Sequence, residues 1–174
     1  MHVRVKFAGA VAAAGAMAVA GTVAIADDGD RISKRLTGYE EVPAVSTAAS
    51  GRFKATLRPS QGEIAYRVSY TGLEGNVLQS HIHVGQLHVN GGISVFLCSN
   101  LGNGPAGTPA CPPAPATVEG VLRPASVVGP NDQGVAPGEF DELVRAMEAG
   151  VTYANVHSSK FPSGEIRGQL RVDD

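Results

Sequence analysis

Glu63-Ile64-Ala65-Tyr66-Arg67-Val68-Ser69-Tyr70 decides the fold. Ile64, Tyr66, Val68 and Tyr70 alternate with Ala65, Arg67 and Ser69, and side chains two apart on a strand share a face, so the segment reads as a strand with one packed and one wetter face. After it, Thr71-Gly72-Leu73-Glu74-Gly75-Asn76 supplies Gly and Asn for positive φ, and a second strand, Val77–Val84, is expected beside the first. Similar short runs bounded by Gly and Pro occur at 51–57, 93–97, 117–122, 152–156 and 165–171. One helix is expected, over 140–149. There Phe140, Leu143, Val144 and Met147 recur at helical spacing behind Asp141 and Glu142, and Gly150 is the stop. The class is therefore all-β, an immunoglobulin-like or Greek-key β-sandwich or barrel with one short helix in a crossover loop. Too little chain remains for a parallel βαβ sheet.

The chain has 174 residues. Arg4 and Lys6 precede an uncharged run from 7 to 26 that closes on Ala24-Ile25-Ala26 and is followed by Asp27, Asp28 and Asp30, the pattern of a cleaved signal peptide over 1–26. A flexible segment is expected over 27–34, with the β domain over 35–174. Cleavage removes two cations, leaving 12 Lys and Arg against 16 Asp and Glu, which suggests neither nucleic acid nor an anionic membrane as partner. The Lys and Arg between Arg31 and Arg58 are interleaved with apolar residues and read as a solvated strand face. Cys98 and Cys111 both lie in the exported part, where a disulfide persists, and are expected to pair across the Gly- and Pro-rich stretch between them.

Two segments carry chemistry. In Gln79-Ser80-His81-Ile82-His83-Val84-Gly85, His81 and His83 project from one face of a strand, about 6 to 7 Å apart, where two imidazoles can share a metal ion. In the second, Tyr153, Asn155 and His157 share a face, and beyond a Pro- and Gly-containing turn Glu165, Arg167 and Gln169 share another. An ion pair between Glu165 and Arg167, fixing a structural polar layer with Asn155, is the expectation there. His88 falls in a loop and is expected to be exposed. There is no Gly-x-Ser-x-Gly elbow, phosphate loop or His-Glu-x-x-His, so serine hydrolase, nucleotide-dependent and zincin chemistries lack their defining residues.

Leu36-Thr37-Gly38-Tyr39-Glu40-Glu41-Val42-Pro43, His81-Ile82-His83-Val84-Gly85 and the blocks 153–157 and 164–170 together closely resemble a CHRD domain, the module repeated in chordin and found singly in many bacterial exported proteins. The resemblance implies an immunoglobulin-like barrel or sandwich outside the cytoplasm, and no settled reaction. The chain is more weakly similar to copper-zinc superoxide dismutases, Greek-key barrels with a His-x-His strand, a later copper-ligand His and a functional Arg. That likeness implies His81, His83 and His157 as copper ligands and Arg167 as an attractor of anions. Only four histidines, His81, His83, His88 and His157, follow the signal peptide, too few for a separate zinc subsite.

Two functions follow. The leading expectation is a non-enzymatic module, secreted, periplasmic or in the cell envelope, monomeric by default because Pro43, Pro59 and the charged strand faces argue against a long open edge, which binds a protein, glycan or other envelope component. Its polar layer should be fully hydrogen-bonded. The alternative is a copper- or zinc-binding protein using His81, His83 and His157, whose ring nitrogens must converge on one point.

Overall fold

The computed structural model describes residues 29–173. The signal peptide expected over 1–26 lies outside the described residues. Eight antiparallel strands form one sheet: β1 (Asp30–Thr37), β2 (Ser50–Arg58), β3 (Glu63–Thr71), β4 (Val77–Val84), β5 (Gly92–Ser99), β6 (Ala116–Leu122), β7 (Thr152–Ser158) and β8 (Ile166–Leu170). Their order is β5-β4-β7-β8-β1-β2-β3-β6, and the sheet curls until it is nearly a barrel. An isolated bridge between Val95 and Val127, and a 2.7 Å hydrogen bond from the Tyr66 hydroxyl to the Leu97 carbonyl, link its two ends. Helix α1 (Phe140–Glu148) lies in the crossover from β6 to β7 and buries Phe140, Leu143, Val144 and Met147. Gly150, at φ 68°, supplies the left-handed turn that ends it.

The core is one cluster in which Ile32, Leu36, Phe53, Leu57, Ile64, Val68, Ile82, Leu97, Val156, Ile166 and Leu170 are each 1% exposed or less. Burying each such side chain contributes about 1.5–3 kcal/mol. The disulfide forms between Cys98 and Cys111 and tethers the loop between β5 and β6. Among the described residues no helix is long and apolar enough to cross a membrane.

Two expectations are corrected. Order begins at Asp30 rather than Arg35: β1 pairs residue for residue with β2 from Asp30↔Leu57 to Thr37↔Ser50, so most of the segment expected to be flexible is strand. Its charged residues concealed it, because only Ile32 and Leu36 point into the core. Second, β3 and β4 are not neighbours. β3 pairs with β2 and β6, while β4 pairs with β5 and β7, so the 72–76 connection crosses from one half of the barrel to the other rather than closing a hairpin.

Candidate metal centre

Strand register places the site. Along β4, β7 and β8, Ile82, Ala154, Val156, Ile166 and Leu170 belong to the core, so the alternate residues project from the opposite, outer face. There His81 stands opposite Asn155, which stands opposite Arg167; His83 stands opposite Tyr153, which stands opposite Gln169; and Gln79 stands opposite His157. An outer face is normally wet. Here His81, His83, Asn155, His157, Arg167 and Gln169 are all buried, none more than 8% exposed.

Three loops form the cover, and the polar side chains beneath hold them. Arg167 donates to Asn90 Oδ1 at 3.0 Å and to the carbonyls of Val89 at 2.8 Å and Gln86 at 3.4 Å. Gln169 Nε2 donates to the Gly85 and Gly150 carbonyls, and His83 Nδ1 donates to the Gly91 carbonyl at 3.0 Å. The 85–91 loop is thus clasped along its whole length. Asn90 in turn donates to the Val42 carbonyl, joining this loop to the 41–49 segment, whose Glu41 accepts a 2.6 Å hydrogen bond from Asn155 Nδ2. The third loop, between β7 and β8, brings the Pro162 carbonyl 2.9 Å from His157 Nδ1. Gly164, at φ 132°, lets it pass so close that a Cβ there would lie 2.6 Å from both Asn155 Nδ2 and Glu41 Oε1.

A carbonyl oxygen only accepts, so His83 and His157 must each carry a proton on Nδ1, and in the neutral rings Nε2 is a bare lone pair. The rings are neutral. Burial drives His81 down to about 2, aided by repulsion from His157 and His83, and drives His83 down to about 4 against the opposing hydrogen bond to Gly91. Burial lowers His157 as well. His157 Nε2 faces His81 Nδ1 at 3.1 Å, and the three imidazoles offer ligand atoms that all lie within 4.8 Å of one another. His83 Nε2, His81 Nε2 and Asn155 Oδ1 are buried without a hydrogen-bond partner. Unpaired lone pairs are uncommon in protein interiors, and with Gln169 Oε1 four of them belong to this one polar layer.

The remaining contacts stiffen the cluster. Tyr153 stacks on His83 with centroids 4.7 Å apart and planes 3° from parallel, and the Arg167 guanidinium carbon lies 3.4 Å from the Tyr153 centroid. The Phe96 ring meets His81 edge-on at 4.5 Å.

The register therefore brings together His81, His83, His157, Asn155 and Arg167. His88 stands apart, exposed and at φ 62° in the loop. The expected Glu165–Arg167 ion pair does not form. Glu165 lies just before β8, and its Oε1 accepts from the Thr47 hydroxyl and the Glu74 amide, while Arg167 is occupied by the 85–91 loop. The carboxylate in this layer is Glu41, whose position was legible only as part of the 36–43 block. Burial raises it to about 7, against the opposing pull of Arg167 and Asn155. The Gly91 and Pro162 carbonyls carried no side-chain signal at all.

Fold and site together define a nearly closed antiparallel β-barrel with a histidine cluster set between its outer wall and covering loops. The chain belongs to the CHRD domain family, whose profile matches residues 32–170. No curated protein and no solved structure gives a significant match.

Proposed function

We propose that this CHRD domain is an extracytoplasmic copper- or zinc-binding module in which His81, His83 and His157 hold one ion. The observation that carries the reading is the direction of the ring protons. Two backbone carbonyls fix Nδ1–H of His83 and His157, so that both Nε2 atoms are lone pairs in a cluster with His81; that of His157 faces His81 Nδ1, and that of His83 has no partner. A metal-bound histidine commonly donates its other ring N–H to a carbonyl in this way. Two ligands ~2.0–2.1 Å from one ion stand about 3.3 Å apart at a tetrahedral angle, close to the 3.1 Å between His81 Nδ1 and His157 Nε2. Binding there requires the proton between these two nitrogens to leave Nδ1 of His81. Imidazole suits both copper and zinc, and because the rings stay neutral, protons compete little for them at neutral pH.

The reading departs from the dismutase likeness at Arg167. Its guanidinium is turned to loop oxygens and stacked on Tyr153, which supports a role in holding the cover rather than in attracting an anion. The export expected from residues 1–26, and the disulfide, support a site of action where thiols do not compete for the metal. The test is metal content of the exported protein purified without a His-tag, beside His81→Ala/His83→Ala. One equivalent of copper or zinc, lost in a variant that still folds, is expected. Metal absent from the parent after incubation with either ion, or retained equally by the variant, would sink the proposal and return the polar layer to a purely structural role.

A further inference from the structure

The opposite half of the barrel presents a different outer face. On β1, β2 and β3, Arg31, Arg35, Arg52, Lys54 and Arg67 are all exposed, while Ile32, Leu36, Phe53, Ala55 and Val68 between them face the core. Register sets Arg35 directly opposite Arg52, and Lys54 directly opposite Arg67. Like charges facing each other across strands destabilise a sheet. Relief is slight. Glu119 of β6 pairs with Arg67 at 3.0 Å and Arg52 donates to the Ser33 hydroxyl, but among the described residues no carboxylate pairs with Arg31, Arg35, Arg52 or Lys54. The chain as a whole carries a formal charge of −2, so this face opposes the sign of the molecule.

We propose that the outer face of β1, β2 and β3 binds an acidic polysaccharide, a carboxylate-bearing glycan chain laid across the strands. The cations stand about 5 Å apart between strands, and along the strands about 7 Å apart from Arg52 to Lys54 and about 13 Å apart from Arg31 to Arg35, an array suited to a polymer carrying several charges rather than to one small anion. Serine and threonine hydroxyls alternate with them, as Ser69 does opposite Arg52, and offer partners for sugar hydroxyls. Two shallow depressions run along the face, about 660 Å³ beside Arg35, Arg52 and Ser69 and about 780 Å³ beside Arg31, Lys54 and Arg67. The net negative charge elsewhere turns this face toward a polyanion. Nucleic acid fits less well. These rows hold no exposed aromatic ring on which a base would stack, and no helix or projecting ribbon that would enter a groove. Apart from Val121 on β6, the face offers no large apolar side chain to an anionic bilayer. The site is independent of the histidine cluster.

The test is titration of the purified protein with polygalacturonate fragments in 50 mM and 300 mM NaCl, with uncharged dextran as control. Saturable binding to polygalacturonate and none to dextran is expected. Affinity should fall at least tenfold in the higher salt, and at least tenfold in Arg52→Glu/Lys54→Glu. Arg31→Gln/Arg35→Gln should weaken it by a smaller factor, and serves as the reporter if the double reversal does not fold. Arg123→Glu, outside the array and facing Glu63, should leave it unchanged. No binding at 50 mM NaCl, or equal binding by the folded variants, would overturn the proposal. Tighter binding of single-stranded DNA or anionic vesicles than of polygalacturonate would also overturn it, assigning the face to another polyanion.

Discussion

The outer faces of the two halves of this barrel begin from the same strand pattern and end in opposite conditions. On β4, β7 and β8 the alternate residues are polar and buried; on β1, β2 and β3 they are polar and wet. Alternation assigns side chains to a face, but loops decide whether that face meets water. The 85–91, 41–49 and 158–165 segments roof one half only. Arginine shows the consequence, since Arg167 is 1% exposed among three loop acceptors while Arg52 lies open on the other wall.

Exchanging the arginines in turn probes that contrast most strongly. Arg167→Leu leaves loop carbonyls unpaired, removes the stack on Tyr153 and should destabilise by about 3–5 kcal/mol, as measured by denaturant unfolding. A loss below about 1 kcal/mol would mean that the cover does not depend on it. Gly164→Val tests how tightly the third loop seals the layer. A β-branched residue at φ 132°, with its Cβ 2.6 Å from Asn155 and Glu41, should lose about 3 kcal/mol through backbone strain and overpacking.

Acid should act on the roofed half. His81 and His83 titrate near 2 and 4 when folded but near the ordinary ~6.5 when unfolded, so as pH falls below about 6.5 the unfolded chain takes up protons that the folded one refuses. Stability then falls with acidification. Glu41 works the other way, because its carboxyl, raised to about 7, binds a proton in the folded state that the unfolded chain releases above about 4.5. With two strongly depressed histidines against one raised carboxyl, and His157 adding to the histidine side, the metal-free protein should lose on the order of 2 kcal/mol between pH 6.5 and 4.5. The acid limb should flatten in His81→Ala/His83→Ala. On the open wall, Arg52→Ala should change stability by less than about 0.5 kcal/mol, and a larger loss would show that this face also carries structural weight.

Much of this was legible in the sequence, for identifiable reasons. Strands with one apolar and one polar face, such as β3, announce themselves by period, and His81 and His83 could be placed together because residues two apart share a face, whereas the inclusion of His157 was implied only by the likeness to copper-zinc superoxide dismutases. β1 was missed because its inward apolar residues are few and its outward ones charged. The pairing of β3 with β4 was misjudged because a Gly-rich connection does not tell a hairpin from a crossover. The Glu165–Arg167 pair failed for a subtler reason: shared parity says nothing about competing acceptors, and folding brought Thr47 and the Glu74 amide to one residue and the 85–91 carbonyls to the other. Ring-proton direction, on which the metal reading rests, depends on the Gly91 and Pro162 carbonyls, and backbone atoms leave no mark in the choice of residue type.

The most direct test of the central claim is imidazole ¹H–¹⁵N NMR of the purified protein as one equivalent of zinc, or of copper(I), is added. The account predicts that Nε2 of His83 and of His157 and Nδ1 of His81 shift together at one equivalent, that the Nδ1 protons of His83 and His157 persist through their carbonyl bonds, and that His88 does not move. Shifts at His88 alone, loss of those two Nδ1 protons on binding, or no change in any of the three rings would contradict it.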